Sequence, residues 1–406
     1  MKESKTLSSP IDVLSPNPSK IRSLDPNADK RAWAEVDYQA IAHNVAETQK
    51  LIGDTKIMGI VKADAYGHGA VACAKALRAC GIDFFAVACL QEAKELREAG
   101  IEEPILILGY TPPASFAELA RLDLTQSLLS HEYAKKLAAF GQEYDVDMKG
   151  HVKVDTGMNR TGILYQDNAK EYEAILEVYR LKGLEVGGLF SHFPVSDDLG
   201  EENSTFTKHQ IELFEELCAR LKNDGVNIGL RHIQNSYGIL NYQDLGMDYC
   251  RPGLLYMGVT SDDAIPIVTK PQYIPILTLK AKVTLVKNIP EGASVSYGRH
   301  YIAKEERKIA SISIGYADGL SRACSNQNLM VSIRGHLVPL VGNICMDQCM
   351  ADITGLDDIQ EGDVVTIIGQ DGQNICTVDQ ISRRAGTINN ETLSCLTKRV
   401  IRVAKS

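Results

Sequence analysis

From Arg31 onward, apolar runs and helical patterns take turns for roughly 230 residues, and this alternation leaves the chain very few folds to choose from. Eight apolar runs read as strands, at 33–36, 56–62, 84–88, 104–108, 122–128, 151–154, 184–190 and 230–234. Helical spacing fills the intervals at 38–51, 71–79, 90–99, 114–119, 131–140, 169–181 and 205–224. The runs are continuously apolar, as expected of strands covered on both faces. The pattern fits an α/β fold, a (β/α)8 TIM-like barrel, with a doubly wound sheet as the competing layout. A dinucleotide-binding sheet would show G-x-G-x-x-G after an early strand, and the chain has none. Past Tyr273 the pattern changes to short alternating stretches (277–286, 308–314, 331–333, 337–341, 364–368) broken by Gly and Pro, which predict a C-terminal all-β domain. The expected division is a flexible leader over 1–30, rich in Pro and Ser, a barrel over 31–272 and a β domain over 273–406.

Lys62 is the residue that points to chemistry. It ends the run Ile57-Met58-Gly59-Ile60-Val61 and is followed by Ala63-Asp64-Ala65-Tyr66-Gly67-His68-Gly69 and a helix from Ala70 to Ala79. Barrel enzymes keep their reactive groups at this end of a strand, and an amine there can form a Schiff base with an aldehyde cofactor. Tyr66 is placed to meet a phosphate, and the free N–H groups of the following helix start favour an anion. Composition alone favours a surface lysine, since charged side chains normally lie outside; the segment around it reverses that reading.

Five further segments stand at or near the ends of expected strands. They are Lys153-Val154-Asp155-Thr156-Gly157-Met158-Asn159-Arg160, Ser191-His192-Phe193, Asn235-Ser236, Arg251-Pro252-Gly253, and Ser296-Tyr297-Gly298 with Gly315-Tyr316-Ala317-Asp318-Gly319. In this order, from about Arg31 to Arg402, they resemble the alanine racemase family, fold-type III enzymes dependent on pyridoxal 5'-phosphate (PLP). The resemblance implies a racemase with Lys62 as attachment lysine and base on the D face of the substrate, and Tyr297 as base on the L face. Tyr66, His192, Asn235, Ser236, Arg251, Gly253 and the backbone of Leu254 would surround the cofactor. Arg160, Tyr316, Cys345 and Met346 would meet the substrate, and Lys153 matches a lysine that is often carbamylated. Arg251 would face the pyridine nitrogen, where a guanidinium keeps the ring unprotonated; fold-type III decarboxylases place a carboxylate there. Because Tyr297 and Lys62 lie on different domains, the resemblance implies a head-to-tail homodimer with shared sites.

Two positions depart from the family pattern. Asn390 stands where the family generally carries tyrosine, and Asn343 where it often has arginine. An amide at 390 enlarges the pocket and can bond a hydroxyl, which suits serine beside alanine. The combination resembles the serine/alanine racemase domain of the glycopeptide-resistance (vancomycin-resistance) VanT proteins, which supply D-amino acids for cell-wall precursors and carry an amino-terminal membrane domain. The sequence leaves open a strict alanine racemase, a decarboxylase on the same fold and a non-catalytic PLP carrier.

Bulk properties narrow the partners. A net charge of −9 with no dense Lys/Arg cluster excludes nucleic acid. No run of 18 apolar residues exists and no signal peptide opens the chain, so a cytoplasmic protein, or the soluble domain of a membrane-anchored parent, is expected. The 10 cysteines lack a C-x-x-C pair and read as free thiols, with Cys73, Cys80, Cys89 and Cys218 on apolar faces; the 9 histidines show no ligand spacing, so no metal is expected.

Overall fold

The computed structural model describes residues 30–166 and 171–405. Nearly all of the expected leader, and the first positions of the helix expected at 169–181, lie outside the described residues. Among those described, eight short parallel stretches form the barrel: Lys56–Ile57 continued by Gly59–Ile60, then Phe85–Val87, Ile105–Ile107, Thr125–Leu128, Met148–Asp155, Leu184–Phe190, Leu230–His232 and Tyr249–Cys250. Each pairs in parallel with the next up to Leu230–His232. Tyr249 and Cys250 then lie in register with Lys56 and Ile57, and the Arg251 N–H donates to the Gln234 carbonyl at 2.9 Å, which closes the ring. Helices between the strands cover the outside, so residues such as Ile60, Phe85, Leu106 and Val152 are buried, as parallel strands require.

The run at 33–36, grouped by the alternation with the barrel, lies elsewhere. Ala32–Val36 pairs antiparallel with Leu277–Ile289 and parallel with Ile401–Ala404. Its place in the barrel is taken by Tyr249–Cys250, a stretch too short to register as an apolar run. Apolar patterning identifies a strand but not the sheet it joins.

The second domain is built on a closed ring of six strands among the described residues: Leu277–Ile289, Arg307–Ile312, Cys349–Asp352, His336–Val341, Met330–Ile333 and Val364–Asp371. Leu277–Ile289 is long enough to serve two neighbours. Its residues 279–282 pair with 364–368, and 283–289 pair with 307–312. Two short helices, Val378–Ala385 and Asn389–Ser394, make the domain mostly rather than wholly β. The first is capped by Thr377, whose side chain accepts from Gln380 N–H, and ends at Gly386 with φ 70°.

All ten cysteines are free. Cys89 is exposed at the start of the helix Leu90–Glu98, not on an apolar face as expected. No helix among the described residues is long and apolar enough to cross a membrane.

The two domains meet where the turn Lys62–Gly67 rests on the helix Asn389–Ser394. Gly67 has φ 81°, and a Cβ added there would run into the Leu393 carbonyl. Gly67→Ala is therefore expected to cost about 2–3 kcal/mol through backbone strain and displacement of that helix, read as a lower urea midpoint with an unchanged slope. An unchanged midpoint would show that the contact is not tight.

Candidate active site

Lys62 leaves the first barrel strand into a turn that winds left-handed. Ala63, Asp64, Ala65 and Tyr66 have φ of 53, 54, 51 and 52° with ψ of 49, 44, 49 and 44°. For L-residues with a Cβ this costs roughly 1–2 kcal/mol each, so other bonds must hold the turn. Glu92 accepts from the Ala63 and Ala88 N–H groups, both at 2.7 Å. The Asp64 carboxylate accepts from Ala70 N–H at 2.8 Å. His68 is fully buried and its Nδ1 meets the Ala65 and Tyr66 carbonyls at 3.0 and 2.9 Å. Burial lowers its pKa to about 4, so the ring is neutral at pH 7. The start of the helix Ala70–Ala79, expected to favour an external anion, is thus occupied by Asp64. Glu92 was not singled out from sequence; its signal is its position three residues into a helix, where a capping carboxylate commonly sits.

The turn carries Lys62 and Tyr66 into a cavity of about 520 Å³. His192, Asn235, Ser236, Arg251 and Gly253 line the same space. The Tyr66 hydroxyl packs so close to Gly253 that a Cβ there would lie 2.7 Å from it, so a side chain at 253 would have to displace the phenol. Ser236 Oγ accepts from Gly253 N–H at 3.0 Å and keeps its own proton to donate. Leu254 follows with its side chain buried. The Asn235 amide is already spent: Oδ1 accepts from Gly238 N–H and Ser196 Oγ, and Nδ2 donates to the Phe193 carbonyl. Asn235 shapes the loop that presents Ser236.

Arg251 is buried with no carboxylate among its partners. Its guanidinium donates to the Ser191 and Ile233 carbonyls at 2.7 and 3.1 Å, to His192 Nδ1 at 3.1 Å and to His232 Nδ1 at 2.6 Å. His232 in turn meets His151 at 3.0 Å. Burial and the Arg251 charge hold His192 and His232 well below the ordinary histidine pKa and His151 down to about 3, so these rings are neutral acceptors. His232 and His151 lie inside the barrel, and no sequence spacing announces them.

Burial, then the charges of Arg160 and Arg251, lower the Lys62 pKa from the usual lysine value. Burial and Arg160 likewise bring Lys153 down to about 8, with its Nζ donating to Thr161 Oγ1 at 2.6 Å. Arg160 is held by its backbone N–H on Asp155, 3.2 Å away, leaving its side chain at the surface. Four cationic side chains thus converge on the cavity region, with Glu92 committed to the turn. The set fits PLP: an amine biased toward its neutral form, hydroxyls from Tyr66 and Ser236 for a phosphate, and a fixed donor in Arg251 for a ring nitrogen.

Asn390 lines the same cavity, and its Oδ1 is buried with no hydrogen-bond partner. It is placed there by Asn389, missed from sequence, whose N–H donates to Ser261 O at 2.8 Å and whose Nδ2 donates to Thr260 O at 3.0 Å and Asp379 at 2.7 Å. The remaining expected residues lie apart from the cavity of their own chain. Tyr297 is 73% exposed, and Tyr316 and Met346 are also exposed. They are nonetheless gathered: the Tyr316 N–H donates to Cys345 O and Ser296 Oγ meets Cys345 Sγ at 3.3 Å. One chain therefore presents a cavity with an amine and, separately, a surface cluster with a phenol.

Residues 36–261 match the family described as alanine racemase, N-terminal domain, and residues 276–404 the one described as alanine racemase, C-terminal domain. Alanine racemase 2 of Caldanaerobacter subterraneus subsp. tengcongensis is 42% identical over 91% of this chain and 93% of its own. The alanine racemase of Bacillus anthracis, solved with bound L-Ala-P, is similar with a TM-score of 0.84 and 32% identity, covering 93% of this chain and 95% of that one. A histidine racemase from Leuconostoc mesenteroides gives a TM-score of 0.83 at 26% identity, covering 93% and 99%.

Because Arg160 disfavours the ammonium form of Lys62, Arg160→Ala should raise the Lys62 pKa. Competitive acetylation of the cofactor-free chain across pH reads this directly, as a midpoint for Lys62 labelling moved to higher pH. A midpoint that stays put would separate the two charges.

Proposed function

The chain belongs to the alanine racemase family, and on that premise we propose that it is a PLP-dependent racemase that interconverts the L- and D-forms of both alanine and serine by a two-base mechanism. When bound, PLP would supply an electron-withdrawing ring that acidifies the α-hydrogen of the amino acid. Lys62 would hold the cofactor and, freed as a neutral amine, move a proton at Cα from the D face. Tyr297 would do the same from the L face. Tyr66, Ser236 and Gly253 would hold the phosphate, and Arg160 would bind the substrate carboxylate. The observation that carries the reading is Arg251: a buried guanidinium whose partners are carbonyls and neutral imidazoles can only donate toward a ring nitrogen. It also weighs against a decarboxylase, which would need a carboxylate there.

Serine acceptance rests on Asn390. Its buried Oδ1 lacks a donor, and the hydroxyl of serine would supply one, whereas alanine leaves it unpaired at a cost of about 1–3 kcal/mol. The fold also serves a histidine racemase, so a side chain larger than a methyl group is compatible with it. Lys153, with a pKa near 8, has enough neutral amine at mildly alkaline pH to take up carbon dioxide, and the carbamate would offset the Arg160 charge. Such an enzyme would supply D-amino acids for cell-wall precursors.

An exposed Tyr297 calls for a second chain to bring phenol and amine together, in a head-to-tail homodimer with shared sites.

Two experiments test this. Asn390→Tyr should lower serine turnover about tenfold more than alanine turnover; an equal effect on both removes Asn390 as a specificity element. Lys62→Ala and Tyr297→Phe should each be nearly inactive alone, yet mixing and re-equilibrating them should restore about a quarter of wild-type sites, since hybrid dimers carry one intact site. No recovery, with hybrids present by mass, would mean that each site is built from one chain.

A further inference from the structure

We infer that Asn343 is a positioning residue that aims the Tyr297 phenol, an inference that rests on the two-base reading above. Tyr297 opens a tight turn, Tyr297–Arg299, flanked and interrupted by left-handed backbone: φ is 68° at Ser296, 76° at Gly298 and 52° at Arg299. The exposed Tyr297 ring has little packing from its own chain, so the backbone of this turn must set the direction of its Cα–Cβ bond. Ser296 and Arg299 adopt these angles without being glycine, and something must hold them there.

Asn343 supplies that hold from two atoms. Its side-chain Nδ2 donates to the Tyr297 carbonyl at 2.8 Å, and its backbone carbonyl accepts from Ser296 Oγ at 2.5 Å. The other end of the amide is fixed as well, because Oδ1 accepts from Asn326 Nδ2 at 3.0 Å. Asn343 is buried, so these bonds are shielded from water. The turn wraps closely around it: a Cβ on Gly298 would lie 3.4 Å from Nδ2, and one on Gly342 would lie 2.7 Å from the Val295 carbonyl. The sequence marks Asn343 only as a departure from an arginine. The structure instead turns its amide inward, onto the backbone of the proton-transferring residue. Proton transfer demands near-fixed geometry, and a displacement of about 1 Å can cost on the order of 100-fold.

Asn343→Asp keeps the shape and removes the Nδ2 donor. With D-alanine in heavy water, inversion should slow about tenfold while α-deuterium uptake into recovered D-alanine, the Lys62 side of the reaction, persists. The ratio of exchange to inversion should therefore rise about tenfold, with KM changed by less than about twofold. In the cofactor-free protein labelled with 3-fluorotyrosine, the Tyr297 resonance, assigned by its loss in Tyr297→Phe, should shift or broaden. Asn326→Ala should move both readouts in the same direction by less, and carries the test if Asn343→Asp does not fold. Exchange and inversion falling together, or an unmoved fluorine line, would overturn the role of Asn343. Tyr297→Phe is run alongside: if it leaves the ratio unchanged, the two-base reading itself fails. If it raises the ratio and Asn343→Asp does not, only the positioning role is lost.

Discussion

Four consecutive left-handed residues, Ala63 to Tyr66, are the constraint around which the site is organised. A right-handed continuation from Lys62 would make a helix and carry Tyr66 away from Gly253. The left-handed winding lets the amine and the phenol of one short segment face the same cavity, while Gly67 comes out flush against Leu393. The strain is offset by Glu92 and His68, which bond the backbone of this segment, and by Asp64, whose side chain ties it to Ala70 N–H. The turn also relays position between domains, since the helix it touches bears Asn390. A residue near the C-terminus thereby becomes part of the wall of a cavity built on the first barrel strand.

Electrostatics give the cavity its bias. Burial lowers the pKa of both Lys62 and Lys153, and the nearby charges of Arg160 and Arg251 lower them further. A region so rich in cations is stabilised by anions, which a phosphate and a substrate carboxylate provide. No counter-charge offsets Arg251: its partners accept hydrogen bonds but carry no charge. The three histidines below and beside it stay neutral because the guanidinium and the barrel interior both penalise a second positive charge.

The parts of this site that were legible in the sequence are those where a reaction demands a residue type at a strand end: Lys62, Tyr66, Ser236, Arg251 and Gly253. Their segments are short and local, so chain order alone brings them together once the barrel closes. Glu92, Asn389, His232 and the inward turn of Asn343 were not legible as parts of the site, because each acts through a bond to a segment distant in the chain. The barrel was legible from alternation, but its membership was not. The strand at 32–36 has the same apolar pattern whichever sheet it joins, and the two-residue Tyr249–Cys250 is recruited by its neighbours rather than by its own composition.

Ala32–Val36 lies between Leu277–Ile289 and Ile401–Ala404, and Arg31 reaches the buried Asp318 carboxylate beyond them. The barrel is consequently an insertion of more than 200 residues between two adjacent strands of the other domain. During synthesis the first strand must wait, unpaired, until the entire barrel and then the strands beyond it have emerged. The barrel strands pair with one another, whereas the sheet beside it acquires its edge only with Ile401–Ala404. Order of assembly is thus written into the topology: the cofactor-bearing half matures first, and the phenol-bearing half is locked last.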